Sequence, residues 1–351
     1  MGDDAPHSAS ARSGEGVWLP AHQDGSFFVR TPSLSDQFDG VDDLSRIKLR
    51  RLRAGVPVAL DFTRMTSIND ALLEIGMVDL DAVSLRGPVD LFLQQEMVQS
   101  LQHATRLAFS LTRCDDKSLA HFLDLYGERI IALGLDETGI TNGAGSAISR
   151  IVNLESLTLR HTDVGDAILD DLGALRGLVY LDLANTNMTG HGGRRLGELT
   201  GLRTLRLSGT RVTDDVVAHL TQLPKLIFLD LSNTQIGDGI APALQRLTGL
   251  QALSLRNTKT TSHVGGGLAH MKAIELLDLR ETAVDNDIGV SFEPMTGLRQ
   301  LFLSGTRVGD PVTEHLSGLD NLQKLSLERT RVTTIAVKQL DAKLLDCKVA
   351  F

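Results

Sequence analysis

The stretch LRTLRLSGTRVTDDVVAHLTQLPK, residues 202–225, falls on near copies of itself when shifted by its own length of 24 residues in either direction. Leu157, Leu181, Leu205, Leu229, Leu253, Leu277, Leu301 and Leu325 keep that spacing, and each is followed by a second leucine two residues on. A fixed period of this size is the mark of a solenoid, in which one short unit stacks on the next.

Within a unit, L-x-x-L-x-L has the alternation of a strand with one buried face. Three residues after the second leucine stands a column of threonines: Thr138, Thr162, Thr186, Thr210, Thr234, Thr258, Thr282, Thr306 and Thr330. An apolar column follows two residues on, from Ile140 and Val164 to Val332, with Thr260 as its exception. Two residues further come Ser118, Asn142, Asp166, Gly190, Asp214, Asp238, Ser262, Asn286, Asp310 and Thr334, all residue types that favour helix N-caps. Apolar residues at helical spacing, such as Val217, Leu220 and Leu223, complete the turn. Each unit therefore reads as strand, threonine corner, capped short helix and return. One unit cannot bury its leucines alone, so units must stack with their strands in a parallel sheet. The stacked threonines are placed to satisfy backbone groups at the buried corner.

The pattern L-x-x-L-x-L-x-x-T-x-[VI]-x-[DN] resembles that of leucine-rich repeat proteins, in a 24-residue form with Thr where many relatives carry Asn or Cys. The resemblance covers residues 57–351. It implies an α/β solenoid with a concave parallel sheet, short convex helices and a ligand held on the concave side. It implies no catalytic residues. The closing LDAKLLDCKVAF is similar to the terminal turn of bacterial members, and arginine outnumbers lysine 26 to 9, so a bacterial protein is expected.

The first turns are degenerate. Leu60 and Phe62, then Val83 and Leu85, then Phe109 and Leu111 read as opening strands before the period becomes strict at Leu133. Upstream, residues 1–15 read as a polar disordered tail with no secretory pattern. Residues 16–56 read as an N-terminal cap. It consists of a hairpin, whose arms Val17–Pro20 and Phe27–Val29 flank an Asp24-Gly25 turn, and a helix over 42–53 with acids leading and bases trailing. The glycine-rich runs 190–193 and 265–267 lack the spacing of a phosphate loop and read as irregular helix.

A net charge of −9 argues against a nucleic-acid or anionic-membrane footprint, and no apolar run is long enough to span a bilayer. Cys114 falls in the threonine column and Cys347 in the last turn, too far apart to form a disulfide. A cytoplasmic location is the default expectation. No cofactor fingerprint is present, and the histidines lie too many turns apart to share a metal.

The residues between and beside the leucines line the concave face. There Tyr180, Phe228, Leu276 and Phe302 are expected as exposed apolar groups. Asp182, Asp230 and Asp278 alternate around them, with Arg206 between the first two, and Arg160, Arg256 and Arg280 lie beside this column. Aromatic and arginine anchors amid polar groups are the makeup of a recognition surface. The plainer alternative is a charge ladder that keeps the sheet soluble and in register. A competing constellation sets His161 between Glu137 and Asn185 on neighbouring turns, the elements of a general base, although a hydrogen-bonded rim histidine has the same signature. The residues together point to a module that binds a protein or peptide on the concave face. The second reading is an enzyme, or the partner of a biosynthetic enzyme, with a small or peptidic substrate near His161.

Overall fold

An L-x-L pair puts both leucines on one side of an extended backbone and the residue between them on the other. The computed structural model, which describes residues 19–20, 27–28, 58–61, 82–95, 98, 101 and 106–351, turns that alternation into one continuous sheet. Strands β1 (Leu19–Pro20) and β2 (Phe27–Phe28) pair antiparallel by themselves. The sheet then runs through β3 (Val58–Asp61), β4 (Ala82–Pro88), β5 (Arg106–Thr112), β6 (Ile130–Gly134) and β7 (Ser156–Thr158). It continues through β8 (Tyr180–Asp182), β9 (Thr204–Arg206), β10 (Phe228–Asp230) and β11 (Ala252–Ser254). The last four strands are β12 (Leu276–Asp278), β13 (Gln300–Phe302), β14 (Lys324–Ser326) and β15 (Lys348–Ala350). All 13 strands follow in sequence order, each parallel to the last. The expected 1–15 tail, the 42–53 helix and the hairpin's turn lie outside the described residues, as do Val17, Trp18 and Val29 of its arms.

From Leu133 onward the register follows the period, with Leu157 on Leu181, Leu205 on Leu229 and Leu325 on Val349. The early turns differ by one pleat. Leu85, not Val83, is in register with Leu60 and Phe109. These turns fill their layer with rings instead of leucines. Phe109 packs edge-on against Phe92 and Phe122, and the Tyr126 hydroxyl donates to the Phe92 carbonyl at 2.8 Å.

Short helices lie on the opposite side of the leucine layer. Because a helix is about twice as wide as the ~4.8 Å strand pitch, the sheet takes the inside of the curve. Each corner threonine donates its hydroxyl to the carbonyl of the second leucine in its own unit. Thr162 bonds Leu159 at 2.6 Å, Thr234 bonds Leu231 at 2.5 Å and Thr306 bonds Leu303 at 2.7 Å. The column expected to satisfy the corner does so in all nine turns from Thr138 to Thr330. Cys114, in the same column at the preceding turn, is a buried free thiol that burial pushes up to about 11.

The polar column expected to cap the helices has a different task. The caps stand one residue earlier where a turn is regular, at Thr141, Thr189, Thr213, Gly237, Thr261, Asp285 and Thr333. Ser118 is the third residue of the helix Asp116–Tyr126 and completes the capping box of Asp115. The column itself reaches across to the next unit. Asn142 accepts from the Gly165 N–H at 2.8 Å, Asp166 from Thr189 at 2.9 Å and Asp214 from Gly237 at 2.6 Å. Asp238, Ser262, Asn286 and Asp310 repeat the contact with Thr261, Asp285, Gly309 and Thr333. The residues are short acceptors because they must meet a backbone N–H one unit away.

Packing explains one glycine in each of the two irregular helices. A Cβ on Gly197 would stand 2.8 Å from the His219 carbonyl oxygen, and one on Gly267 would stand 2.5 Å from that of Ala241. These positions let one unit's helix lie close on its neighbour's.

Removing one corner hydroxyl should leave its leucine carbonyl buried without a donor. Thr234→Val is expected to lower the unfolding free energy by about 1–3 kcal/mol, read from a urea melt. An unchanged midpoint and slope would show that the corner does not need the bond. Gly190 is the one member of the inter-unit column without a side chain, and the Thr213 N–H has no partner among the described residues. Gly190→Asp should raise stability by about 1 kcal/mol, by adding the missing acceptor and stiffening the unfolded chain. The Thr213 hydroxyl, 2.6 Å from the new Cβ, has to rotate away for this to happen, and a destabilised variant would show that it cannot.

Candidate functional site

On the open face of β6–β15, each strand presents one residue between its leucines and one on either side. The structure places several of these differently from expectation. Tyr180 and Leu276 are 7% and 8% exposed, so they are buried and not exposed apolar groups. Asp182, Arg206 and Asp278 are buried as well. Strand spacing supplies one physical reason: a ring or guanidinium is wider than the ~4.8 Å pitch, so long side chains lie over their neighbours. Phe228 and Phe302 stay half-buried, and Arg256 is exposed.

Two cation–ring pairs organise the face. The Arg206 guanidinium lies 5.4 Å from the centre of the Phe228 ring, and that of Arg280 lies 4.9 Å from the centre of Phe302. Lys324, absent from the residues singled out by sequence, brings its Nζ to 5.1 Å from the same Phe302 ring. Arg280 is also held by Asp278, whose Oδ2 accepts from the guanidinium at 2.6 Å and whose Oδ1 accepts at 2.9 Å. That bond locks the arginine plane over the ring and is the largest cause of its raised pKa.

The expected Asp182–Arg206–Asp230 ladder is one-sided. Arg206 stands 3.7 Å from Asp182, and Arg160 stands 3.9 Å away on the other flank. Asp182 also accepts from the Ala184 N–H at 3.0 Å and the Tyr180 hydroxyl at 3.3 Å. Burial pushes its carboxyl up, and Arg206 is the strongest opposing influence. Asp230 instead turns to Ser232, accepting from both its N–H and its hydroxyl. Thr204, 2% exposed between Tyr180 and Phe228, has a buried hydroxyl with no hydrogen-bond partner among the described residues.

His161 and Asn185 do come together, with the amide nitrogen 3.1 Å from the imidazole Nε2. Glu137 makes no hydrogen bond or ion pair to His161 among the described residues, and both lie exposed on the rim. The rim has a property that the sequence reading missed. Arg113, Glu137, His161, Asn185, Asn233, Asn257, Glu281 and Arg329 all have φ between 50° and 57°, and Gly209 and Gly305 share the column. The signal was available, because a column that mixes Asn with Gly is typical of left-handed backbone. Here the chain leaves the sheet to turn its corner. Arg329 crosses above Gly305 to pair with Glu281, where a Cβ on Gly305 would meet the Glu281 carboxylate at 2.7 Å.

Among the described residues no three His, Cys, Asp or Glu side chains gather to hold a metal ion, and no helix is long and apolar enough to cross a membrane. A hollow of about 400 Å³ lies away from the sheet face, lined by Asp310, Glu314, Ile335, Gln339 and Lys343. No side chain of the sheet face reaches it.

Known proteins agree with this architecture. A Leucine Rich Repeat family model matches residues 225–247. An internalin from Listeria monocytogenes is similar in structure, with TM-score 0.55 and 19% identity over 80% of this chain and 92% of its own. A TDR receptor gives TM-score 0.53 and 15% identity over 80% of this chain and 48% of its own. At these identities the likeness is one of fold. No curated protein matches the chain significantly in sequence.

A left-handed Glu137 costs about 1–2 kcal/mol relative to glycine in that conformation, less ~0.5–1 kcal/mol for glycine's extra freedom when unfolded. Glu137→Gly is therefore expected to raise stability by up to about 1 kcal/mol in a denaturant melt. A loss would mean that the glutamate side chain contributes more than its backbone conformation costs.

Proposed function

This chain is a leucine-rich repeat protein, and we propose that it works as a recognition module, holding a protein or peptide across the open face of its sheet. The observation that carries the reading is the pair of half-open cation–ring stacks, Arg206 on Phe228 and Arg280 on Phe302. Holding the sheet together does not require rings on this face, since the leucines and corner threonines already do so. Arginine and aromatic side chains pinned in place lose little freedom when a partner covers them, which is how hot spots are built.

The spread of the residues supports a macromolecular ligand. Tyr180 to Phe302 covers β8 to β13, six strands at ~4.8 Å, a span suited to a partner that buries about 800 Å² on each side. A catalytic reading would centre on His161. That residue has an asparagine for its neighbour and no carboxylate orienting it among the described residues, which favours a rim histidine.

A displayed library of random twelve-residue peptides, selected on the full chain, tests the reading. Selected peptides should protect the β8–β13 amides from hydrogen exchange. Phe228→Ala with Asp230→Ala should weaken them by over ~1 kcal/mol, while His161→Ala changes little. Peptides that bind elsewhere, or that depend on His161 and ignore Phe228 and Asp230, would overturn it in favour of the second reading.

A further inference from the structure

The open face is not uniform in charge along the solenoid axis. Over β6–β10 its outward positions hold Asp136, Asp182 and Asp230 against Arg160 and Arg206. Over β11–β15 they hold Arg256, Arg280, Lys324 and Lys348 against Asp278 and Glu328. The balance changes sign between β10 and β11, in a chain whose net charge is −9.

The internal pairing of the second half sharpens the difference. Asp278 is consumed by Arg280 through a two-pronged bond. Glu328 accepts from the Ser304 hydroxyl at 2.7 Å. Arg256, Lys324 and Lys348 are exposed and have no carboxylate within ion-pair distance among the described residues. Lys324 is not loose, because its ammonium lies 5.1 Å from the centre of the Phe302 ring, which also carries the Arg280 guanidinium at 4.9 Å. Two cations held by one ring repel each other, and an anion settling near both lowers that cost.

On these grounds, and resting on the recognition reading above, we propose that the β11–β15 half of the open face docks an acidic polypeptide segment of a partner protein. Glutamate or aspartate side chains meet Arg256 and Lys324, and the segment's backbone runs across the strands over Phe302. The complementarity is local. At long range the net charge of −9 repels polyanions, so only a partner that brings its acids to this patch gains from it. The same net charge and a pI near 5.6 disfavour a nucleic-acid strand as the occupant.

The test uses the full chain and three labelled peptides, octa-glutamate, octa-lysine and a neutral Gly-Ser octamer, with a twelve-nucleotide poly-dT strand as the competing polyanion. Anisotropy titrations at low salt should show octa-glutamate binding at least 10-fold tighter than each of the others. Arg256→Glu with Lys324→Glu should abolish that preference, while the equal charge change Arg246→Glu with Lys272→Glu, at exposed positions on return segments, should leave it intact. Arg256 and Lys324 are exposed as well, and a matching circular dichroism spectrum and melt establish that each double variant is folded. Octa-glutamate binding no better than the neutral peptide, binding indifferent to the first double variant, or poly-dT binding more tightly would each overturn the proposal. If library peptides still occupy β8–β13 while octa-glutamate fails, only the acidic partner falls. If neither occupies the sheet face, the recognition reading falls with it.

Discussion

Each strand of this protein is complete only when the next one has formed. The N–H of one unit's second leucine donates to the neighbouring unit, as Leu159 does to Asp182 and Leu183 to Arg206. Its carbonyl is taken by the unit's own threonine. The acceptor column from Asn142 to Asp310 adds a second bond between units on the far side of the leucine layer. Two lines of hydrogen bonds, one at the sheet and one at the helix starts, thus stitch a core that no single unit could bury. Stability in such a chain is a sum of unit and neighbour terms, so a defect at one corner is felt mainly by the two units that share it.

That construction leaves one face outside the leucine core. From β6 to β14 the leucines look inward and helices cover the other side, so the residues between the leucines are released from packing in that layer. Their identity varies from unit to unit where the leucines and threonines do not: glycine, threonine, aspartate, arginine and phenylalanine all occupy the central column. The rings of Phe228 and Phe302, each held by an arginine, give this free face its shape, and the change of charge sign near β11 gives it a direction. Loss of regularity in the first turns follows the same logic in reverse. There Phe92, Phe109, Phe122 and Tyr126 fill a layer that leucines fill elsewhere, so the period weakens while the packing does not.

Sequence by itself determined the period, the leucine layers, the threonine corner and the order and register of the strands from Leu133 onward. All of these depend on residues that repeat, and a repeated residue announces both its position and its neighbour. Only the tertiary structure decided where the non-repeating side chains reach. The column read as helix caps turned out to bind the following unit, because a short acceptor at a helix start can meet either its own backbone or the next unit's N–H. Tyr180 and Leu276 are buried on a face where alternation alone placed them outward. Asp230 pairs with Ser232 and not with Arg206, and Arg329 passes over Gly305 to Glu281. At a strand pitch of about 4.8 Å a long side chain has three or four partners within reach, and the period is silent on which it takes.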